Sequence, residues 1–210
     1  MKHRLDKFLL RHGVYYKEGR MWTQKHRCWL RGIKFENPHL QRTFEEYFSQ
    51  VDEQIERLKR MDKELEEVAK QEPYRKPVEW LKCLKGIETV TGLSLVAELY
   101  SIERFESARE LMAYLGLTIC EDSSGETRRQ GGITKAGNRR VRRLLVECAW
   151  NYARGGPIAS KTLRARREGQ PEWVVKIGET AQKRLYWRYQ RLVNKGKSKK
   201  VAVVAVAREL

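Results

Sequence analysis

The stretch SSGETRRQGGITKAGNRRVRR, Ser123 to Arg143, combines hydroxyls, four glycines, six arginines and Lys135 with a single acid. That mixture suits phosphate. Glycine-rich main chain offers N–H donors, and each guanidinium adds forked, permanently charged ones. A helix starting inside the stretch adds the positive end of its dipole. Such contacts hold a nucleic-acid backbone and make affinity salt-dependent, but they do not read sequence. A serine among these donors could also attack a phosphodiester. The product would be a phosphoserine link that conserves the bond for rejoining, with arginines countering the extra negative charge of the five-coordinate transition state. The hydroxyl would then need a base or a metal, and no His lies near it in the sequence. A basic surface loop with a Ser-Gly turn is the plainer reading of the same residues.

The charge around the stretch favours a polyanionic partner. The net charge is +17, and residues 123–210 hold 22 of the 44 Lys and Arg side chains but only 6 acids. Residues 1–36 are also basic, with 10 cations and 3 acids, whereas residues 37–72 hold 6 cations and 10 acids. One-sided charge of this kind points first to nucleic acid and second to an anionic membrane surface. The longest apolar run, VAVVAVA (Val201 to Ala207), falls far short of the roughly 20 residues that cross a bilayer. No secretory signal opens the chain. The expectation is therefore a cytoplasmic protein with no membrane partner. Cys28, Cys83, Cys120 and Cys148 lie far apart, which argues against a disulfide framework or a zinc site. His3, His12, His26 and His39 show no metal-ligand spacing.

The elements that must carry the motif are expected to be mainly α. Residues 1–36 are read as basic connector helices: RLDKFLLRHG closes at Gly13, and WTQKHRCWLRGI starts at Thr23. Residues 37–72 are read as one long coiled-coil helix, capped by Asn37 with Pro38 in its first turn. Phe44, Val51, Leu58 and Leu65 keep one heptad position; Tyr47, Gln54, Met61 and Val68 keep the other. Such a stripe needs a partner, either a second copy of the chain or a return helix of the same chain. Residues 73–210 form the third segment. Within it VEWLKCLKGIETVTGLSLVAEL has a helix-hairpin-helix outline cornered by Gly86, with a plain helix pair as the alternative. SARE (Ser107 to Glu110) is a capping box. The Gly/Arg-rich stretch reads as a loop leading into a helix capped by Thr134 or Asn138. On that helix Val141, Leu144, Leu145, Cys148 and Tyr152 share one face, and Arg139, Arg143 and Trp150 the other. Further helices are expected over 172–193 and from Val201 onward.

At this point a resemblance enters. From Gly86 to Arg154 the sequence is similar to the C-terminal half of insertion-sequence transposases of the IS one-ten family. The residues that carry it read GIETVTGLSLVAELYSIERFESARELMAYLGLTICEDSSGETRRQGGITKAGNRRVRRLLVECAW. The long helix, RLDKFLLRHG before it and KGKSKKVAVVAVAREL at the end resemble the regions flanking this segment in the family. The resemblance implies DNA recombination in transposition by bacterial mobile elements. It implies an N-terminal nuclease-like domain of the RNase H type, whose Asp, Glu, Asp and Asp bind magnesium, and a C-terminal serine that links covalently to DNA. It also implies a structured guide RNA and multimers that bridge two DNAs. Carried over by motif, the nucleophile is Ser124, with Ser123 only its neighbour. Arg128, Arg129, Lys135, Asn138, Arg139 and Arg143 become nucleic-acid contacts, and Gly86, Gly125, Gly132 and Gly137 backbone contacts to phosphate.

Two departures shape the expectation. The acidic nuclease-like segment is not in this sequence, so magnesium is expected in that domain and no metal or cofactor in this chain. The chain reads as a fragment, a decayed element or a separately started C-terminal product, inactive by itself. Glu88 stands where a second hairpin glycine is usual, and a carboxylate there would repel phosphate. The competing readings are a non-catalytic DNA- and RNA-binding, dimerising remnant, and a coiled-coil adaptor with an incidental basic tail.

Overall fold

The computed structural model describes the backbone of residues 1–124 and 127–210, and the side chains of residues 1–121 and 130–210. The fold is mainly α, with a two-stranded sheet among the described residues. Two compact units divide the chain, Met1–Glu64 and Leu65–Leu210.

The first unit contains α1 (Lys2–Arg11), α2 (Gln24–Arg31) and most of α3 (Pro38–Val68). Both expected caps form. Thr23 Oγ1 accepts from His26 N at 3.3 Å, and Asn37 Oδ1 accepts from His39 N at 2.9 Å. Leu5 and Leu9 of α1, Leu30 of α2, and Phe44 and Val51 of α3 make one buried cluster. Each large side chain buried there contributes about 1.5–3 kcal/mol. The first half of the heptad stripe therefore finds its partner inside the chain. The second half is divided: Leu58 and Met61 are 59% and 46% exposed, whereas Leu65 is partly buried against Ala69, Val78 and Leu93.

The second unit holds α4 (Arg75–Leu81), α5 (Thr89–Leu99), α6 (Ala108–Tyr114), β1 (Ile119–Ser124), β2 (Thr127–Ile133) and α7 (Arg139–Ala149). After α7 come a 3-10 turn (Trp150–Ala153), α8 (Lys161–Arg167), α9 (Glu172–Asn194) and α10 (Lys199–Glu209). The apolar face expected of α7 is observed. Val141 and Cys148 are buried with Ile87, Leu95, Leu115 and Leu117. Tyr152 joins Leu185 and Tyr189 of α9 and Ala202, Val203 and Val206 of α10 in a second cluster. Four residues of the VAVVAVA run, Ala202, Val203, Val206 and Ala207, are thus core, while Val201 is exposed; α10 lies against α7 and α9.

Two expectations are corrected. The Gly/Arg-rich stretch reads as a loop in the sequence, but much of it is an antiparallel hairpin pairing Ile119 with Ile133, Ser123 with Arg128 and Ser124 with Thr127. Its strand sequences, ICEDSS and TRRQGGI, lack the apolar alternation that normally announces a strand. Trp150, expected outward beside Arg139 and Arg143, packs partly buried against the second cluster. Trp150 follows Val146 by one helical turn and both pack against that cluster, so the buried surface of this helix is wider than a single stripe.

Candidate nucleic-acid interface

The hairpin, the segment 134–138 and the start of α7 are fixed by close backbone contacts to α6. Asn138 N donates to Tyr114 O and Lys135 N to Gly116 O, both at 3.0 Å. Gly137 and Gly116 have φ of +94° and +64°. A Cβ on Gly137 would stand 2.0 Å from Tyr114 O, and one on Gly116 1.9 Å from Ala136 O. Glycine is required twice here, by left-handed backbone and by main chains in contact. Gly137, expected to offer its N–H to phosphate, sits in this packing contact. Gly132 is open: a Cβ there would have nothing within 4 Å.

Asn138, not Thr134, caps α7. Its Oδ1 accepts from Arg140 N at 3.0 Å and Val141 N at 3.1 Å, while its Nδ2 donates to Glu98 Oε2 at 3.0 Å. The same carboxylate lies 3.4 Å from Arg140 Nε. Arg142 Nη1 donates to Leu115 O at 2.7 Å, satisfying a carbonyl at the end of α6. Asn138, Arg140 and Arg142 therefore hold the motif in place. Lys135, Arg139 and Arg143 are exposed, and Arg143 makes only a loose contact of 3.6 Å to Glu147, four residues on. These three cations stand on the outer side of a helix start whose dipole also attracts anions.

Ser124 ends β1 and is paired in register with Thr127. Its side chain and those of Arg128 and Arg129 lie outside the described residues, as does Gly125.

The helix-hairpin-helix candidate is α4, a connection and α5. Gly86 is at its corner with φ +89°, and a Cβ there would meet Asn151 Nδ2 at 2.6 Å and Cys148 O at 2.8 Å. Lys85 Nζ donates to Arg154 O at 2.7 Å. The corner is thus seated on the end of α7. Glu88 is not a lone carboxylate: Arg166 of α8 pairs with it. Nothing near Glu88 in sequence announces that partner, which lies 78 residues on.

Among the described residues no three His, Cys, Asp or Glu side chains gather as a metal would require. No helix among the described residues is long and apolar enough to cross a membrane.

The mainly α second unit presents a cationic helix start beside a two-stranded hairpin, a surface suited to an anionic ligand that leaves the class of protein broad. Comparison with known proteins narrows it. Residues 78–164 match the transposase IS116/IS110/IS902 family. The chain is 37% identical over 209 residues to the protein y4qE of Sinorhizobium fredii (strain NBRC 101917 / NGR234), covering all of this chain and 50% of that relative. It is 36% identical over 200 residues to the transposase for insertion sequence element IS1533 of Leptospira borgpetersenii, covering 93% of this chain and 57% of that one. A shorter match, 29% over 112 residues, is to the transposase for insertion sequence element IS1111A of Coxiella burnetii, covering 53% of this chain and 30% of the relative. The chain belongs to the IS116/IS110/IS902 transposase family. It spans about half the length of the curated relatives it matches most fully.

Proposed function

We propose that this chain is the DNA-binding, strand-transfer part of a transposase. Lys135, Arg139 and Arg143 grip the DNA backbone, and Ser124 Oγ attacks a phosphodiester. The attack forms the Ser124 O–P bond and breaks a P–O bond to sugar, so the hydroxyl's proton leaves to a base and the departing strand end carries a free hydroxyl. Reversal onto a second strand's hydroxyl completes transfer. The base comes from an acidic nuclease-like domain acting with this chain. A guide RNA that matches the two DNAs, and assembly of several copies through the exposed part of the α3 stripe, belong to the same reading. The observation that carries it is the group of exposed cations at the α7 start, next to a hairpin whose first strand ends at Ser124.

The test combines this chain with the acidic domain, magnesium, guide RNA and target DNA. A protease-sensitive protein–DNA adduct is expected, and it should vanish in Ser124→Ala. An adduct that survives that change removes the role given to Ser124. Nucleic-acid binding is tested separately: Arg139→Gln with Arg143→Gln should lower the slope of log affinity against log salt by about 1–2. Binding without an adduct under any supplement would leave a non-catalytic binding and assembly module.

A further inference from the structure

A second site lies away from the hairpin. α8, α9 and the segment before α8 enclose a cavity of about 280 Å³ lined by Pro157, Ile158, Arg164, Arg167, Gln182 and Lys183. Arg167 is only 6% exposed. Its Nε and Nη2 donate to Cys83 O at 3.1 and 3.0 Å, and Nη2 also reaches Gln182 Oε1 at 3.3 Å. All of these acceptors are neutral, and no carboxylate pairs with Arg167 among the described residues. A buried cation normally has an anion beside it, because desolvating an unpaired charge is costly.

Gln182 has the complementary defect. It is 1% exposed. Arginine can only donate, so the amide must turn its oxygen toward Arg167. The Nε2 donor is left without a partner. Buried side-chain donors rarely stay unsatisfied, and each one that does calls for an explanation. Arg164 and Lys183 are exposed on the cavity lining, as is Glu179, which forms no ion pair with either among the described residues. Ile158 is 79% exposed, an apolar side chain held out beside this cationic lining.

We propose that this cavity receives one unpaired nucleotide of a nucleic-acid strand. Its phosphate takes the two remaining N–H groups of Arg167, the Gln182 amide N–H and the charges of Arg164 and Lys183, while its base or sugar lies on Pro157 and Ile158. Unstacked bases are held by other proteins in this way, with apolar surface on the face and donors on the edge or phosphate. The proposal rests on the reading of the chain as nucleic-acid-binding, but at a site that shares no residue with the α7 start.

Gln182→Glu tests it. The new carboxylate is nearly isosteric and sits beside Arg167, so the fold should be retained and the melting temperature equal or higher. The same carboxylate repels phosphate, so affinity for a fluorescent single-stranded 20-mer should fall about tenfold or more, the scale of losing charge-assisted hydrogen bonds. Affinity for a blunt duplex should change less than twofold. Thr180→Glu, an exposed position on the same helix, controls for the change in net charge and should give less than a twofold effect on either probe. Equal loss on both probes, or equal loss in Thr180→Glu, overturns the proposal. So does a phosphate-induced rise in melting temperature that Gln182→Glu abolishes without any change in 20-mer affinity, because the cavity would then hold a free anion only. Failure of the Arg139 and Arg143 variants with success here would strike the α7 reading and spare this one.

Discussion

Arg166 of α8 ties down the corner of the α4–α5 hairpin: one guanidinium nitrogen pairs with the Glu88 carboxylate, and Nη1 donates to Ile87 O at 3.3 Å. Glu88 immediately precedes α5, so the pair fixes the start of that helix as well as the hairpin. The sequence expectation of a carboxylate repelling phosphate gives way to one neutralised from within the chain.

Glu88→Gly should therefore not improve nucleic-acid binding, although it restores the usual hairpin glycine. It should cost about 1 kcal/mol of stability by freeing a half-buried guanidinium. Denaturant titration reads the cost. A gain in DNA affinity would show that the corner faces phosphate instead of Asn151.

The two interface glycines should behave differently. Gly137→Ala places a methyl onto Tyr114 O in left-handed backbone, and about 2–4 kcal/mol should be lost. Gly132→Ala meets nothing within 4 Å and should change stability by less than about 0.5 kcal/mol. Thermal unfolding of the pair gives the comparison, and equal losses would mean the 116–137 contact is not what holds the motif.

The α3 stripe separates folding from assembly. Val51→Lys should unfold the first unit, since Val51 is 2% exposed in its core. Leu58→Lys with Met61→Lys should leave the unit folded and reduce self-association of the full chain in sedimentation. A parent chain that stays monomeric at all concentrations would remove this stripe as an assembly surface.

Acid should loosen the first unit. His26 is fully buried and its Nδ1 accepts from Trp22 N at 2.9 Å. Burial holds its pKa below the ordinary 6.5, partly opposed by the Asp6 carboxylate. A group whose folded pKa is lowered contributes stability above its unfolded pKa and loses it as pH falls. Corrected for the intrinsic pH dependence of amide exchange, protection in α1 and α2 should fall below pH 6.5, and His26→Gln should flatten that fall. Protection that does not change with pH in the parent would contradict a buried neutral imidazole.

Alkali should loosen the second unit. Burial pushes the Cys148 thiol from 9.0 up to about 11. Its folded pKa being raised, the stability it contributes is present below pH 9 and is lost as pH climbs toward 11. Cys148→Ala should make the alkaline fall shallower. In the folded chain at pH 8, a thiol reagent should label the exposed Cys28 and Cys120 and spare Cys83 and Cys148. Labelling of all four would mean the core opens on the timescale of the reaction.

Local chemistry settled much of this protein in the sequence alone. The caps at Thr23, Asn37 and Ser107, the apolar face of α7 and the family motif all depend on residues within a few positions of one another, and all were legible. The hairpin was not, because its strand sequences carry no apolar alternation and their pairing is a main-chain property. Choosing which arginines of the motif are free and which are structural needed tertiary contacts: Glu98 is about 40 residues from Asn138, and Leu115 O is 27 residues from Arg142. The same holds for the division of the α3 stripe, where spacing marks every apolar position alike and only the packing of α1 and α2 decides which are core. Arg167 and Gln182 carried no signal in sequence. Their significance is a shortage of partners, and partners at long separation exist only once the chain has folded.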